Sequence, residues 1–202
     1  MAQLDTSFAV TGRALSKLAA ITKDNYREYL KTIYLTEVSP EAGGGRALIF
    51  LTGSVLLVLS DHALTITPES SDFLTASKAV DMAEVARLAP ATKWPLADLP
   101  CTQLPEKVAV RAPNWDAFLW DLLRANWWAE DSKLQSFEAV AKPTLNLGGL
   151  AEFTAVLKAL GSAKSVDLRP RLRMCARGNC LHCTGTVGQG EGQGHYVLVL
   201  SL

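Results

Sequence analysis

The chain has 202 residues, 49% of them hydrophobic, which is enough apolar side chain to bury a core and excludes a disordered polymer. Twenty basic residues offset twenty acidic ones, so no global field draws the protein to DNA or to an anionic membrane, and any nucleic-acid contact needs a local basic face. Four cysteines in a chain of this length exclude a disulfide-stapled secreted scaffold.

Met1 to Ser7 lack a basic stretch followed by an apolar one, the pattern of a signal peptide. The longest apolar run, Ala47 to Leu59, is broken by Thr52, Gly53 and Ser54 and is too short for a membrane-spanning helix. The expectation is a soluble, cytoplasmic protein.

In chain order, a short alternating segment from Phe8 leads into a small amphipathic helix over residues 13–21. Leu15, Leu18, Ala19 and Ile21 lie on its apolar side, and Arg13 and Lys17, with Lys23 beyond, on its basic side. Tyr29 to Val38 alternates and is rich in β-formers, and the turn from Pro40 to Gly45 closes it. Arg46 to Leu51 and Val55 to Leu59 read as two further strands joined at Thr52-Gly53-Ser54, giving a β-α-β-β-β unit. Residues 72–111 start a second, degraded copy: a helix with Ser77 as N-cap and Lys78 and Arg87 along it, then a strand at Lys107 to Arg111.

Pro113 to Trp128 has another character. Trp115, Phe118, Leu119, Leu122 and Leu123 form one apolar helical stripe, and Trp120 and Trp127 lie off it. A deeply buried helix and a partner-binding surface both fit, the second because aromatic residues concentrate at interaction hot spots; its candidate contacts are Trp115, Trp120, Trp127 and Trp128. From Pro143 the order strand, helix, strands returns: a strand at Leu145 to Leu147, a helix from Leu150 to Leu160 closed by Gly161, then strands near Val166 to Ala176, Cys180 to Val187 and Tyr196 to Leu202. The fold expected is α+β, built of repeated β-α-β-β-β units with an antiparallel sheet and helices on one face. Residues 1–112 would hold two units, 113–144 a Trp-rich helical connector, and 145–202 a further unit.

These pieces resemble the bacterial DNA polymerase III β-type sliding clamps, in particular the short clamp-like proteins of phages. Arg27 to Leu35 is similar to the strand after the first clamp helix, and Leu48 to Val58 to the strand pair whose turn in the family reads Thr-Asp-Gly-His; the Asp and His are absent here. Phe73 to Leu88 is similar to the start of a clamp domain's second half, and Tyr196 to Leu202 to its closing strand. The resemblance implies a clamp-like replication accessory without catalysis and without a cofactor. It would hold duplex DNA through Arg13, Lys17, Lys23, Lys78, Arg87 and Lys158, with Lys164 extending the surface, and dock a polymerase-type partner. It also implies self-association, with strand edges at Arg46 to Leu59 or Tyr196 to Leu202 pairing between subunits. The competing reading is a phage interaction or inhibitor protein of clamp-like fold that grips a host protein through the Trp-rich helix. If phage-encoded, the chain would work in the host cytoplasm.

One compact constellation could carry metal chemistry: Cys175, Cys180, His182 and Cys183 are weak zinc candidates. Arg177-Gly178-Asn179 reads as a hairpin turn, which puts Cys175 and Cys180 on neighbouring strands and splits the set. Asp61 and His62 are adjacent after a strand and are expected to point opposite ways, and His195 stands at the mouth of the last strand. The glycines of residues 188–194 lack the strand-to-helix context of a phosphate loop and receive no nucleotide role.

Overall fold

The computed structural model describes residues 8–64, 74–111, 147–161, 171–175, 178–188 and 193–201. The chain opens with β1 (Ala9–Thr11) and α1 (Gly12–Thr22). Thr11 caps α1, its hydroxyl accepting the Ala14 N–H at 3.1 Å, and Leu15 and Leu18 drive its inner side into the core. A single helical turn, α2 (Glu28–Lys31), precedes three antiparallel strands: β2 (Ile33–Val38), β3 (Arg46–Leu51) and β4 (Val55–Ser60). The strand expected from Tyr29 thus starts only at Ile33: Tyr29 belongs to the preceding helical turn, across which Glu28 and Lys31 form an ion pair.

The middle stretch gives β5 (Leu74–Val80), α3 (Met82–Arg87), β6 (Lys93–Pro95), β7 (Cys101–Thr102) and α4 (Glu106–Ala109). Three expectations change here. Ser77 lies inside β5, and the N-cap is Asp81, whose carboxylate accepts the N–H groups of Ala83 and Glu84 at 3.0 Å each. Lys78 is therefore a strand residue. Lys107 belongs to a helical turn rather than a strand, since Pro105 fixes the entry and its carbonyl accepts from Val108 and Ala109.

The last part holds α5 (Leu147–Ala159), β8 (Arg171–Cys175), β9 (Gly178–Val187) and β10 (Gly194–Ser201). Leu147, expected in a strand, opens α5, while Gly161 adopts φ +68° past its end, as a glycine following a helix does.

Among the described residues eight strands form one antiparallel sheet in the order β7-β5-β2-β3-β4-β10-β9-β8, and β1 pairs with β6 apart from it. A helix followed by three strands occurs twice, as α1 with β2-β3-β4 and as α5 with β8-β9-β10, and the two sets meet where β4 pairs antiparallel with β10 from Val55↔Leu200 to Ser60↔His195. The strands expected to pair between subunits are thus interior: β3, β4 and β10 each have neighbours on both sides, and among the described residues β7 and β8 stand at the ends of the sheet.

Alternation sorts the strand residues between two cores. Ile33, Leu35, Leu48, Phe50, Leu57, Leu59, Leu198 and Leu200 pack with Leu15 and Leu18 of α1, Val85 of α3 and Phe153 and Val156 of α5. Tyr34, Ala47, Ile49, Leu56, Val58 and Val199 form the other core, with Val108 of α4 and Ala42. Burial on both faces is why β3 and β4 read as nearly unbroken apolar runs. It also corrects the expectation of helices on one face only, since α4 lies on the side opposite α1 and α5.

Candidate nucleic-acid interface

Helices α1 and α5 pack against each other over the first core. On α1, Ala14, Leu15, Leu18 and Thr22 are buried, which turns Arg13 and Lys17, four residues apart, to solvent, and Lys23 follows at the helix end, exposed. On α5, Phe153, Val156 and Ala159 point inward and Ala151, Thr154 and Lys158 outward. Arg13, Lys17, Lys23 and Lys158 form no ion pair among the described residues. They supply four unneutralised cations on two neighbouring helices.

The other two expected contacts behave differently. Arg87 donates from Nε and Nη2 to the two carboxylate oxygens of Glu84 at 2.8 and 2.6 Å, so its charge is largely spent locally, and the same hydrogen bonding holds the Glu84 carboxyl below its ordinary range. Lys78 stands on β5 opposite Leu35, in reach of Cys101 on β7. Burial pushes the Cys101 thiol up, against the opposing pull of Lys78 and Arg46.

Sequence reasoning missed the loop that leaves α1. Tyr26 is 81% exposed, and the Arg27 guanidinium lies 5.1 Å from its ring centroid. Arg27 donates from Nε to the Tyr26 hydroxyl at 2.8 Å and from Nη1 to the Tyr29 hydroxyl at 3.3 Å. Its partners are neutral, so the cation is oriented without being neutralised. The sequence signal for it is the interleaving of Tyr26, Arg27 and Tyr29 where the helix gives way to the segment expected to be a strand.

The structure also brings together a pair expected to diverge. His62 Nδ1 lies 2.9 Å from Asp61 Oδ1, which accepts the Arg46 N–H at 3.0 Å as well. The chain leaves β4 at this point, so strand alternation no longer separates neighbouring side chains.

The tryptophan contacts Trp115, Trp120, Trp127 and Trp128, and Lys164, lie outside the described residues. Cys175 and Cys180 lie on neighbouring strands as expected, but Gly178 and Asn179, expected in the turn, are residues of β9 paired with Cys175 and Met174, while Cys180 pairs with Arg173 and His182 with Arg171. The side chains of Cys175, Cys180, His182 and Cys183 are outside the description. Among the described residues no three His, Cys, Asp or Glu side chains gather as metal ligands, and no helix is long and apolar enough to cross a membrane. Compared with known protein families, curated proteins and solved structures, the chain matches none.

Proposed function

We propose that this protein is a clamp-like, non-catalytic DNA-binding accessory that holds duplex DNA across the outer faces of α1 and α5, without base readout. The observation that carries the reading is the paired arrangement of α1-β2-β3-β4 and α5-β8-β9-β10 about the β4–β10 junction, with both helices on one side of the sheet. Repetition of one module of a helix followed by three strands explains that arrangement economically. Arg13, Lys17, Lys23 and Lys158 then face a common partner, and Tyr26 and Arg27 extend the surface where α1 ends.

Duplex phosphates suit such a surface because its cations are dispersed and, among the described residues, form no ion pairs. Encircling DNA would take more than one chain, so self-association belongs to the reading, with β8 and β7 as the strands able to extend the sheet.

The test is fluorescence anisotropy of a blunt duplex over a salt series. Four phosphate contacts give a slope of log affinity on log salt of about −3 to −4. Absence of binding at low salt, or a slope near zero, refutes the reading; co-purification of a host protein by a chain without DNA affinity would instead favour the interaction protein. Light scattering over a concentration series checks the oligomer, and a strict monomer at high concentration removes the ring.

A further inference from the structure

We propose that the loop after α1 is a seat for an unpaired nucleotide, with the Tyr26 ring as stacking platform for the base and the Arg27 guanidinium as the group that takes the neighbouring phosphate. The protein then holds a duplex on α1 and α5 and, beside it, a single-stranded extension of the same DNA. The inference deepens the DNA-binding reading and rests on it for the duplex.

The loop is a built turn. The Asn25 N–H donates to the Thr22 carbonyl at 2.9 Å, Asn25 Oδ1 accepts the Arg27 N–H at 2.9 Å, and the Leu30 N–H donates to the Arg27 carbonyl at 3.0 Å. Leu30 is buried and anchors the far end, and the Tyr34 hydroxyl holds the Tyr29 carbonyl at 2.8 Å. A loop fixed in this way has little freedom left to lose when a ligand settles on it.

Tyr26 is 81% exposed, and the hydrogen bond from Arg27 Nε reaches only its hydroxyl end, so the ring stands open to solvent. A base inside a duplex has both faces covered by its neighbours and offers none to such a ring. An unpaired base does, and stacking on an aromatic side chain tolerates any sequence. Two N–H groups of Arg27 are engaged by the neutral hydroxyls of Tyr26 and Tyr29, which orients the guanidinium and leaves its other donors for a phosphate.

The surroundings favour the same ligand. Glu28 is paired with Lys31 at 2.9 Å, so the exposed cations Lys23 and Arg27 outweigh Asp24. A protein hot spot sits in an apolar patch, whereas Tyr26 is flanked by exposed Lys23, Asp24, Arg27 and Glu28. The ring also lies just beyond Lys23, where the cationic side of α1 ends, so a strand leaving the duplex there meets it.

The experiment is fluorescence anisotropy of the full chain at low salt with a blunt duplex, the same duplex carrying an oligothymidine tail, and the same duplex carrying an abasic tail of equal length, tails being placed at the 3′ and at the 5′ end. The abasic tail supplies the added phosphates without bases. A thymidine tail of at least one polarity is expected to bind about fivefold or more tighter than its abasic counterpart, the lower end for one stacked base. Y26A should bring the two tails level and Y26F keep most of the difference, while R13A/K17A should weaken all probes and preserve the ratio. A blunt duplex bound without any gain from thymidine over abasic tails overturns this inference and leaves the duplex reading standing. A gain that survives in Y26A, verified as folded by circular dichroism, overturns it too. Binding of a thymidine tail without binding of the blunt duplex overturns the duplex reading, and its loss in Y26A then supports the tyrosine seat. Failure of every probe to bind refutes both.

Discussion

The Thr52 hydroxyl donates to a Glu152 carboxylate oxygen at 2.5 Å, joining residues one hundred positions apart and tying the turn between β3 and β4 to helix α5. Thr52 Oγ1 also accepts the N–H groups of Ser54 at 3.1 Å and Val55 at 2.8 Å. The residue that shapes the turn is thus the residue that latches α5 to the first three-stranded set. Gly149 lies against Ser54 and Leu200 at the same contact, with no room for a Cβ.

Thr52→Val keeps the shape and removes all three hydrogen bonds, two of them from backbone donors in the turn. It is expected to cost about 2–4 kcal/mol, read as a lower urea midpoint at unchanged m-value. Glu152→Gln should cost less, and a double-mutant cycle should give a coupling above about 0.5 kcal/mol. Additive effects would mean that the turn and the helix hold independently.

Gly45→Ala forces a side chain into the left-handed region and into the Asp61–His62 pair. A loss of about 1–2 kcal/mol from the backbone alone is expected, and more once the pair is displaced. Gly44 shares the positive φ, at +70°, but has open space around its Cβ position, so Gly44→Ala should show the backbone cost without the added loss. Thermal unfolding of the two variants separates the contributions.

Much of this fold can be read from local pattern. Leu15 and Leu18 mark the inner side of α1, Thr52-Gly53-Ser54 marks the β3–β4 turn, and Gly161 marks the end of α5, because each depends on neighbours within a turn. What could not be read depends on partners far along the chain. Ser77 is a good cap residue, yet it is drawn into β5, where its hydroxyl lies 3.0 Å from that of Thr36, and Asp81 caps instead. Val55 and Tyr196 looked like edge residues until β4 and β10 proved to pair with each other. At the site, Arg13 and Lys17 follow from helical spacing, whereas the Arg27 contacts and the Asp61–His62 pair arise where the chain leaves regular structure and no periodicity applies.

If DNA lies across α1 and α5, the cations should not count equally. Arg13→Ala and Lys17→Ala should each reduce the salt slope by about one, weakening binding for every sequence alike. Arg87→Ala should leave slope and affinity almost unchanged, because Glu84 already occupies its guanidinium. Equal losses at all three positions would contradict the assignment of the face to α1.

Asp81→Ala removes an acceptor used by two N–H groups at the start of a six-residue helix whose Val85 is buried in the first core. A loss of about 1–2 kcal/mol is expected, with Asp81→Asn or Asp81→Ser recovering most of it. Hydrogen exchange at Ala83 and Glu84 should accelerate in the alanine variant before global unfolding. Unchanged exchange would show that packing of Val85 alone holds α3.

Alkaline titration should expose Tyr34. Its hydroxyl donates to the Tyr29 carbonyl at 2.8 Å inside the second core, and burial pushes its pKa up to about 12. A phenol raised in the folded state binds its proton more tightly there than in the unfolded chain. Its contribution is therefore present in full below pH 10, the ordinary tyrosine value, and disappears as the pH climbs through about 12. Two pH units of difference correspond to roughly 2–3 kcal/mol. The absorbance titration of the four tyrosines should therefore show a late step that vanishes in Tyr34→Phe. That variant should also lose less stability than the wild type between pH 10 and 12, and equal losses would mean that unfolding at high pH is governed by other groups.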